Sequence, residues 1–174
     1  MEIFQLHPLV RELAVKSCQM GPAKDPAYLP ILEAFHTGIV LSVSARNILE
    51  YGTNLGYSSC LMAHTLKARY GEGQIYTVDK ADQTEAKEWA KKFEVEEYIT
   101  HENSVTWEYK HKIPVYDYIL LDADHSYDGW KKEVQSVLPH MDQWTLLAVH
   151  DTLDNEPWKQ VEREELKDFQ SKML

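Results

Sequence analysis

The chain has 174 residues, the usual size of a single domain, and its composition of 44% hydrophobic and 26% charged residues is that of an ordinary globular protein. Its 28 acidic residues outnumber 18 basic ones, and the resulting net charge of −10 disfavours nucleic acid as a partner. The apolar runs are far shorter than the ~20 residues of a membrane span, so we expect no membrane association. The N-terminus lacks the basic start of a signal peptide, and Cys18 and Cys60 are the two cysteines in the sequence. We therefore expect a cytoplasmic protein.

The first part of the chain differs from the rest. Residues 1–26 predict an N-terminal helical segment and a linker, because a glycine and three prolines fall within residues 21–30. Residues 27–174 predict one domain, which opens with an apolar helix over residues 27–43.

After this helix, β-rich runs alternate with helical stretches. The predicted strands are 47–51, 74–79, 98–102, 116–122 and 145–150, and the helices between them are 58–70, 83–93 and 128–138. This alternation predicts an α/β fold with a mainly parallel sheet between layers of helices. Right-handed crossovers place ligands at the carboxyl ends of such strands.

The first predicted strand ends in a glycine-containing turn, LEYGTNLGYSS. Gly52 and Gly56 allow close approach of backbone to a ligand, and the following helix N-terminus favours an anionic group. Ser58 or Ser59 is a candidate helix cap, and Glu50 adds a carboxylate just before the turn. Two glycines four residues apart also occur in a plain strand-to-helix turn, so the pattern alone is weak.

Polar residues at the ends of the next two strands strengthen the interpretation. Asp79 ends the second strand, where a carboxylate can accept both hydrogen bonds of a ribose diol; the alternative role is a helix cap or a solvated loop acid. Asn103 and Ser104 end the third strand, where they can hold the edge of an adenine, although a turn with Ser104 as its N-cap fits equally. The three turns together predict a nucleoside site.

An acid and histidine cluster follows the last two strands. Asp122, Asp124 and His125 come after the fourth strand, and His150 and Asp151 after the fifth. Clustered carboxylates need shared protons or a cation, and oxygen ligands suit Mg²⁺. His125 is a candidate general base. Asp124 is a candidate to orient His125 or to hold an incoming amine or hydroxyl, and a helix cap fits it equally. The histidines outside this cluster are ordinary surface or core residues by default.

These segments together, above all DADHSYDGWKKEV and VHDT, resemble class I methyltransferases that use S-adenosylmethionine (SAM), most closely the branch of metal-dependent sugar and small-molecule O-methyltransferases. The resemblance implies a Rossmann-like three-layer sandwich and a methyltransferase enzyme. It implies metal ligation by Asp122, His150 and Asp151, and catalysis by His125 with Asp122. The residues it implies for SAM binding are Glu50, Gly52, Thr53, Gly56, Tyr57, Ser58, Asp79, Asn103 and Ser104.

The chain departs from the branch at three places. Asn54 replaces a glycine, His150 replaces an acid, and residues 152–174 predict a helix where the family has a C-terminal hairpin of strands. Either the domain is naturally short, or a second copy of the chain covers the resulting sheet edge.

The expected reaction is O-methylation of a small-molecule or sugar hydroxyl, assisted by a divalent cation such as Mg²⁺ and a histidine base. The alternative is a degenerate SAM- or nucleotide-binding module that acts as an interaction subunit. An NAD-dependent dehydrogenase fits poorly, because the middle glycine of G-x-G-x-x-G is absent and Asp79 lies 27 residues after Gly52.

Overall fold

The computed structural model describes residues 29–150, together with residues 9, 12, 13 and 16. Its helices are α1 (Leu29–Ser42), α2 (Tyr57–Arg69), α3 (Thr84–Lys92) and α4 (Tyr127–Val137); its strands are β1 (Asn47–Tyr51), β2 (Gln74–Asp79), β3 (Ile99–Asn103), β4 (Tyr118–Leu121) and β5 (Leu146–Val149). All predicted strands and helices between residues 29 and 150 are present. The predicted α/β fold is confirmed.

The five strands form one parallel sheet in the order β3-β2-β1-β4-β5. From β1 the chain moves outward through β2 to β3, then returns to place β4 on the other side of β1. The loops after β1 and β4 therefore leave the sheet side by side at its topological switch point, where open α/β sheets bind ligands.

Apolar side chains pack on both faces of the sheet, as a three-layer sandwich requires. Ile48 of β1 and Leu120 of β4 contribute to the core beneath α2 and α3. Their neighbours Leu49 and Ile119 contribute to the opposite core, against α4. Since successive strand residues point to opposite faces, both layers of helices are anchored to the same short strands.

Three strands differ slightly from their predicted bounds. β3 starts one residue late, because Tyr98 ends a short 3₁₀ turn (Glu96–Tyr98). β4 is shorter than predicted at both ends, since Tyr116 donates its backbone N–H to His140 O, away from the ladder. β5 starts after Thr145, whose hydroxyl donates to the Tyr116 carbonyl at 2.7 Å.

Several predictions fall outside the described residues. They include the helix over residues 152–174, the missing hairpin, Asp151 and most of the segment 1–26, and they stay predictions. Among the described helices, none has the length and apolar character needed to cross a membrane.

Candidate functional site

The turn between β1 and α2 is held in a left-handed backbone conformation. Gly52 has φ +98° and Gly56 has φ +79°, and Asn54 between them has φ +45°. Asparagine tolerates this conformation better than most side chains, so its replacement of the family's glycine preserves the shape of the turn. A Cβ on Gly52 would lie 2.2 Å from the Asp122 carbonyl oxygen, so this glycine lets the β1 and β4 loops touch.

Gly56, and no side chain, caps α2. The predicted caps, Ser58 and Ser59, instead donate their hydroxyls to the carboxylate of Glu50. This carboxylate is fully buried, also accepts the Thr77 hydroxyl at 2.6 Å, and has its pKa raised to about 7 by burial. The prediction of serine capping was wrong because the helix begins at Tyr57, which places both serines inside its first turn and not at the N-cap position.

Asp79 fastens the glycine turn to the end of β2. One carboxylate oxygen accepts the backbone N–H groups of Thr53 at 3.0 Å and Asn54 at 3.2 Å, and the other accepts that of Ala81 at 2.8 Å. The carboxylate has about four lone-pair sites and these three donors use three of them, so acceptor capacity remains for one hydroxyl of a ribose diol. Asp79 thus organises the turn while its side chain stays half-buried beside the cavity.

The β3 loop is tied to the β2 loop. The Asn103 side chain donates to Ala81 O at 2.9 Å, and Ser104 donates its backbone N–H to Asp79 O at 3.1 Å. Ser104 is not an N-cap: the 3₁₀ turn that follows has Val105 in that position and no side-chain cap. Both predicted adenine-side residues therefore lie next to Asp79.

These loops surround an open cavity of about 230 Å³. This volume is below the roughly 300–1,000 Å³ of pockets that hold whole drug-sized ligands, so it suits part of a larger molecule such as its nucleoside. Of the predicted site residues, Gly52, Asp79, Asp122 and His125 line it. The further lining residues are Asn54, Lys80, Val105, Thr106, Trp107, Ala123, Asp124 and Glu133.

The ends of β4 and β5 bring two of the three predicted metal residues together. Asp122 Oδ1 lies 3.2 Å from His150 Nδ1. Within residues 29–150 and the few described residues before them, no group of three or more His, Cys, Asp or Glu side chains is arranged to hold a metal ion. The third predicted ligand, Asp151, lies outside that part of the chain.

The loop from β4 to α4 exposes His125 at the mouth of the cavity. Ser126 is the N-cap of α4 and accepts the Gly129 N–H at 3.1 Å. Asp124 supports this cap by accepting the Ser126 N–H at 2.8 Å and its hydroxyl at 2.6 Å, and these bonds lower the pKa of Asp124. Of the two roles considered for Asp124, the structure supports the one at the helix N-terminus, although Ser126 is the cap and Asp124 holds it in place.

Sequence reasoning missed Glu133, which is 1% exposed and lines the cavity. Its Oε1 accepts the Thr106 hydroxyl at 2.5 Å, and burial raises its pKa to about 7. A signal was present: Glu133 lies three residues after Trp130 and four before Val137, on the buried face of α4. A buried acid requires hydrogen-bond donors or an opposite charge to offset the loss of water, so its position on this face indicates a specific partner.

His36, predicted to be an ordinary surface or core histidine, is a core residue. This α1 histidine is 6% exposed, and its Nδ1 has no hydrogen-bond partner in the described part of the chain. Its pKa is lowered to about 4 by burial and, to a smaller extent, by His150, against the opposing charge of Asp122. α1 therefore brings a neutral imidazole close to the ends of β4 and β5.

Comparison with known proteins agrees with this geometry. Residues 49–152, more than half of the chain, match the family described as "Methyltransferase domain". No curated protein matches the chain significantly.

Solved structures share the fold at low identity. A candidate O-methyltransferase from Klebsiella pneumoniae is 24% identical with a TM-score of 0.69, covering 95% of this chain and 79% of that one. The O-methyltransferase TomG from Streptomyces achromogenes, solved with SAM, is 15% identical (TM-score 0.70; 95% and 80% covered). An O-methyltransferase from Bacillus cereus, solved with S-adenosylhomocysteine (SAH), is 20% identical (TM-score 0.66; 95% and 80% covered). The chain therefore belongs to the methyltransferase domain family, and its fold is that of the class I SAM-dependent O-methyltransferases.

Proposed function

We propose that this protein transfers the methyl group of SAM to a hydroxyl of a small molecule or sugar. The observation that carries the proposal is a cavity at the switch point, which joins the Gly52 turn and Asp79 to Asp122 and His125. SAM held by the Gly52 turn and Asp79 would present its sulfonium methyl group to an acceptor held near Asp122 and His125.

The SAM half of the site uses the turn and Asp79. The ribose diol would donate to the Asp79 carboxylate, and the carboxylate of the methionine part would face the N-terminus of α2, where backbone N–H groups and the helix dipole favour an anion. Glu50, Thr53 and Ser58 support the turn from beneath, since the Glu50 carboxylate is buried under it and the Thr53 hydroxyl lies 2.7 Å from that of Thr77.

Methyl transfer forms a carbon–oxygen bond to the acceptor and breaks the carbon–sulfur bond of SAM, which leaves as SAH. His125 is proposed to take the acceptor's proton, because its imidazole lies at the mouth of the cavity three residues after Asp122. Asp122 would orient the acceptor hydroxyl. Holding both reactants in line supplies much of the rate enhancement.

A divalent cation belongs to the proposal as well. Asp122 and His150 already place a carboxylate and an imidazole 3.2 Å apart, and Asp151 would complete the set. Such an ion, when bound, lowers the pKa of an acceptor hydroxyl.

The test is an acceptor screen with methyl-labelled SAM, run with and without EDTA, on wild type and His125→Gln. We expect transfer by wild type, loss of at least 100-fold in the variant, and unchanged SAH affinity by calorimetry. His140→Gln is the matched control. The His140 backbone oxygen accepts the Tyr116 N–H just before β4 begins, at the end of that strand away from Asp122. Turnover by His125→Gln at the wild-type rate would contradict the role of His125 as the base.

The second candidate, a binding module without catalysis, is favoured by one observation: an imidazole stands at residue 150, where the metal-dependent branch has an acid. It would bind SAH as the enzyme does but transfer no label to any acceptor, with or without Mg²⁺.

We also propose that a second copy of the chain covers the β5 edge. In the described sheet β5 pairs only with β4, and Leu146 of β5 is 36% exposed. Trp144, two residues before it, is 78% exposed. Light scattering that gives a monomer mass at micromolar concentration would contradict this.

A further inference from the structure

We propose that Glu133 selects the adenine of SAM by accepting a hydrogen bond from its 6-amino group. The inference rests on the proposed function, because it takes SAM as the occupant of the cavity. It starts from the unusual position of this acid, which is 1% exposed on the inner face of α4 and yet forms part of the cavity wall.

A chain of contacts connects Glu133 to the place proposed for the ribose. Asp79 accepts the Ser104 N–H through its backbone oxygen at 3.1 Å. Two residues later, the Thr106 hydroxyl donates to Glu133 Oε1 at 2.5 Å. A base attached to a ribose at Asp79 would therefore extend along this loop toward Glu133.

The remaining walls suit a flat aromatic base. Val105 and Trp107 flank Thr106 and line the cavity, and both offer apolar surface to a ring face. The edge of adenine carries one donor that distinguishes it from other purines, the 6-amino group. A carboxylate is an acceptor with no donor of its own when ionised, so at a pH above its raised pKa of about 7 Glu133 matches this group and opposes a 6-carbonyl.

Glu133 has acceptor capacity left for this bond. Its donors within the described residues are the Thr106 hydroxyl and the backbone N–H of Asp124, whereas two carboxylate oxygens offer about four lone pairs. Both donors fix the carboxylate before a ligand arrives, which favours recognition because little side-chain freedom is lost on binding.

A purely structural role is the competing explanation. Glu133 joins the β3 loop to the β4 loop, so its loss could weaken binding of any ligand by loosening both. Only the structural role predicts that ligands with and without a 6-amino group are affected equally.

The experiment compares SAH with S-inosylhomocysteine, which has a carbonyl in place of the 6-amino group, by calorimetry on the whole chain at a pH above 8, where Glu133 is ionised. We expect wild type to bind SAH at least tenfold more tightly than the inosyl ligand. In Glu133→Gln the ratio should fall to about threefold or less, because the amide can donate to the 6-carbonyl. Glu108→Gln, an exposed glutamate beside Trp107, should keep the wild-type ratio.

Two results would overturn the inference alone: equal affinity of wild type for both ligands, or a Glu133→Gln ratio equal to that of wild type. The first needs no variant, so it can overturn the inference even if Glu133→Gln does not fold. Failure of wild type to bind SAH at all would instead overturn the proposed function, and the inference with it.

Discussion

Gly52 lies against the backbone of Asp122, so closely that a Cβ on the glycine would stand 2.2 Å from the Asp122 carbonyl oxygen. The contact joins the two loops at the switch point of the sheet, one proposed to hold SAM and the other to hold the acceptor. The distance between the two halves of the site is therefore set by a residue without a side chain.

Gly52→Ala should destabilise the fold by about 2–5 kcal/mol, the sum of a strained positive φ and a forced backbone shift. Urea unfolding measures the change. Gly38→Ala is the control, since Gly38 lies in α1 and a Cβ there meets nothing within 4 Å. That variant should be stabilised by up to about 1 kcal/mol. Equal effects of the two changes would show that the close contact with Asp122 does not matter.

Asp79→Asn should weaken SAH binding by about 10-fold to 100-fold, because a neutral amide replaces the charged acceptor of the ribose diol. Asparagine is preferred to alanine, since the carboxylate also accepts the Thr53 and Asn54 N–H groups and an amide oxygen keeps part of this role. Calorimetry measures the affinity, and Asp82→Asn in the exposed part of the same loop is the control. SAH binding by Asp79→Asn at wild-type strength would refute the ribose role.

Glu50→Gln should change how stability depends on pH. Burial raises the pKa of Glu50 from 4.5 to about 7, so the folded protein retains a proton that the unfolded chain releases. This contribution is complete below pH 4.5 and is lost as the pH rises through 7, with a slope of at most about 1.4 kcal/mol per pH unit.

Urea unfolding of wild type and Glu50→Gln at pH 5, 6 and 7 checks this. The stability of the variant relative to wild type should increase with pH across that range, because Gln does not titrate. A constant difference would mean that Glu50 is ionised in the folded protein throughout.

His111→Gln should show the opposite pH dependence. His111 packs in a cluster in which its ring stacks on His140 at 3.8 Å and its nitrogens lie 3.3 Å from the hydroxyls of Tyr51 and Tyr116. Burial and, to a lesser extent, His140 lower the pKa of His111 from 6.5 to about 4. Its contribution is present above pH 6.5 and is lost as the pH falls through 4.

The variant should therefore lose less stability than wild type between pH 6.5 and pH 4. Thermal unfolding across this range measures the difference. Identical pH profiles for the two proteins would contradict burial of a neutral imidazole at this position.

The sequence by itself determined the local elements and the class of fold. The bounds of β1 and β2 agree with prediction because each strand is a short β-rich run with a clear end. β1 ends just before Gly52, and β2 ends at Asp79, where a loop begins. The sequence also predicted that polar residues at the strand ends lie together, since the carboxyl ends of parallel strands share one edge of the sheet. These features depend on neighbours along the chain.

Only the tertiary structure decided which side chains meet. The sheet order brings β1 beside β4, and that pairing creates the contact between Gly52 and Asp122. Packing of α4 against the sheet brings Glu133 to Thr106, 27 residues away in sequence. Folding of the glycine turn buries Glu50 beneath Ser58 and Ser59. Burial and partners separated in sequence set the chemistry of an acid, and neither is encoded in the spacing of its neighbours.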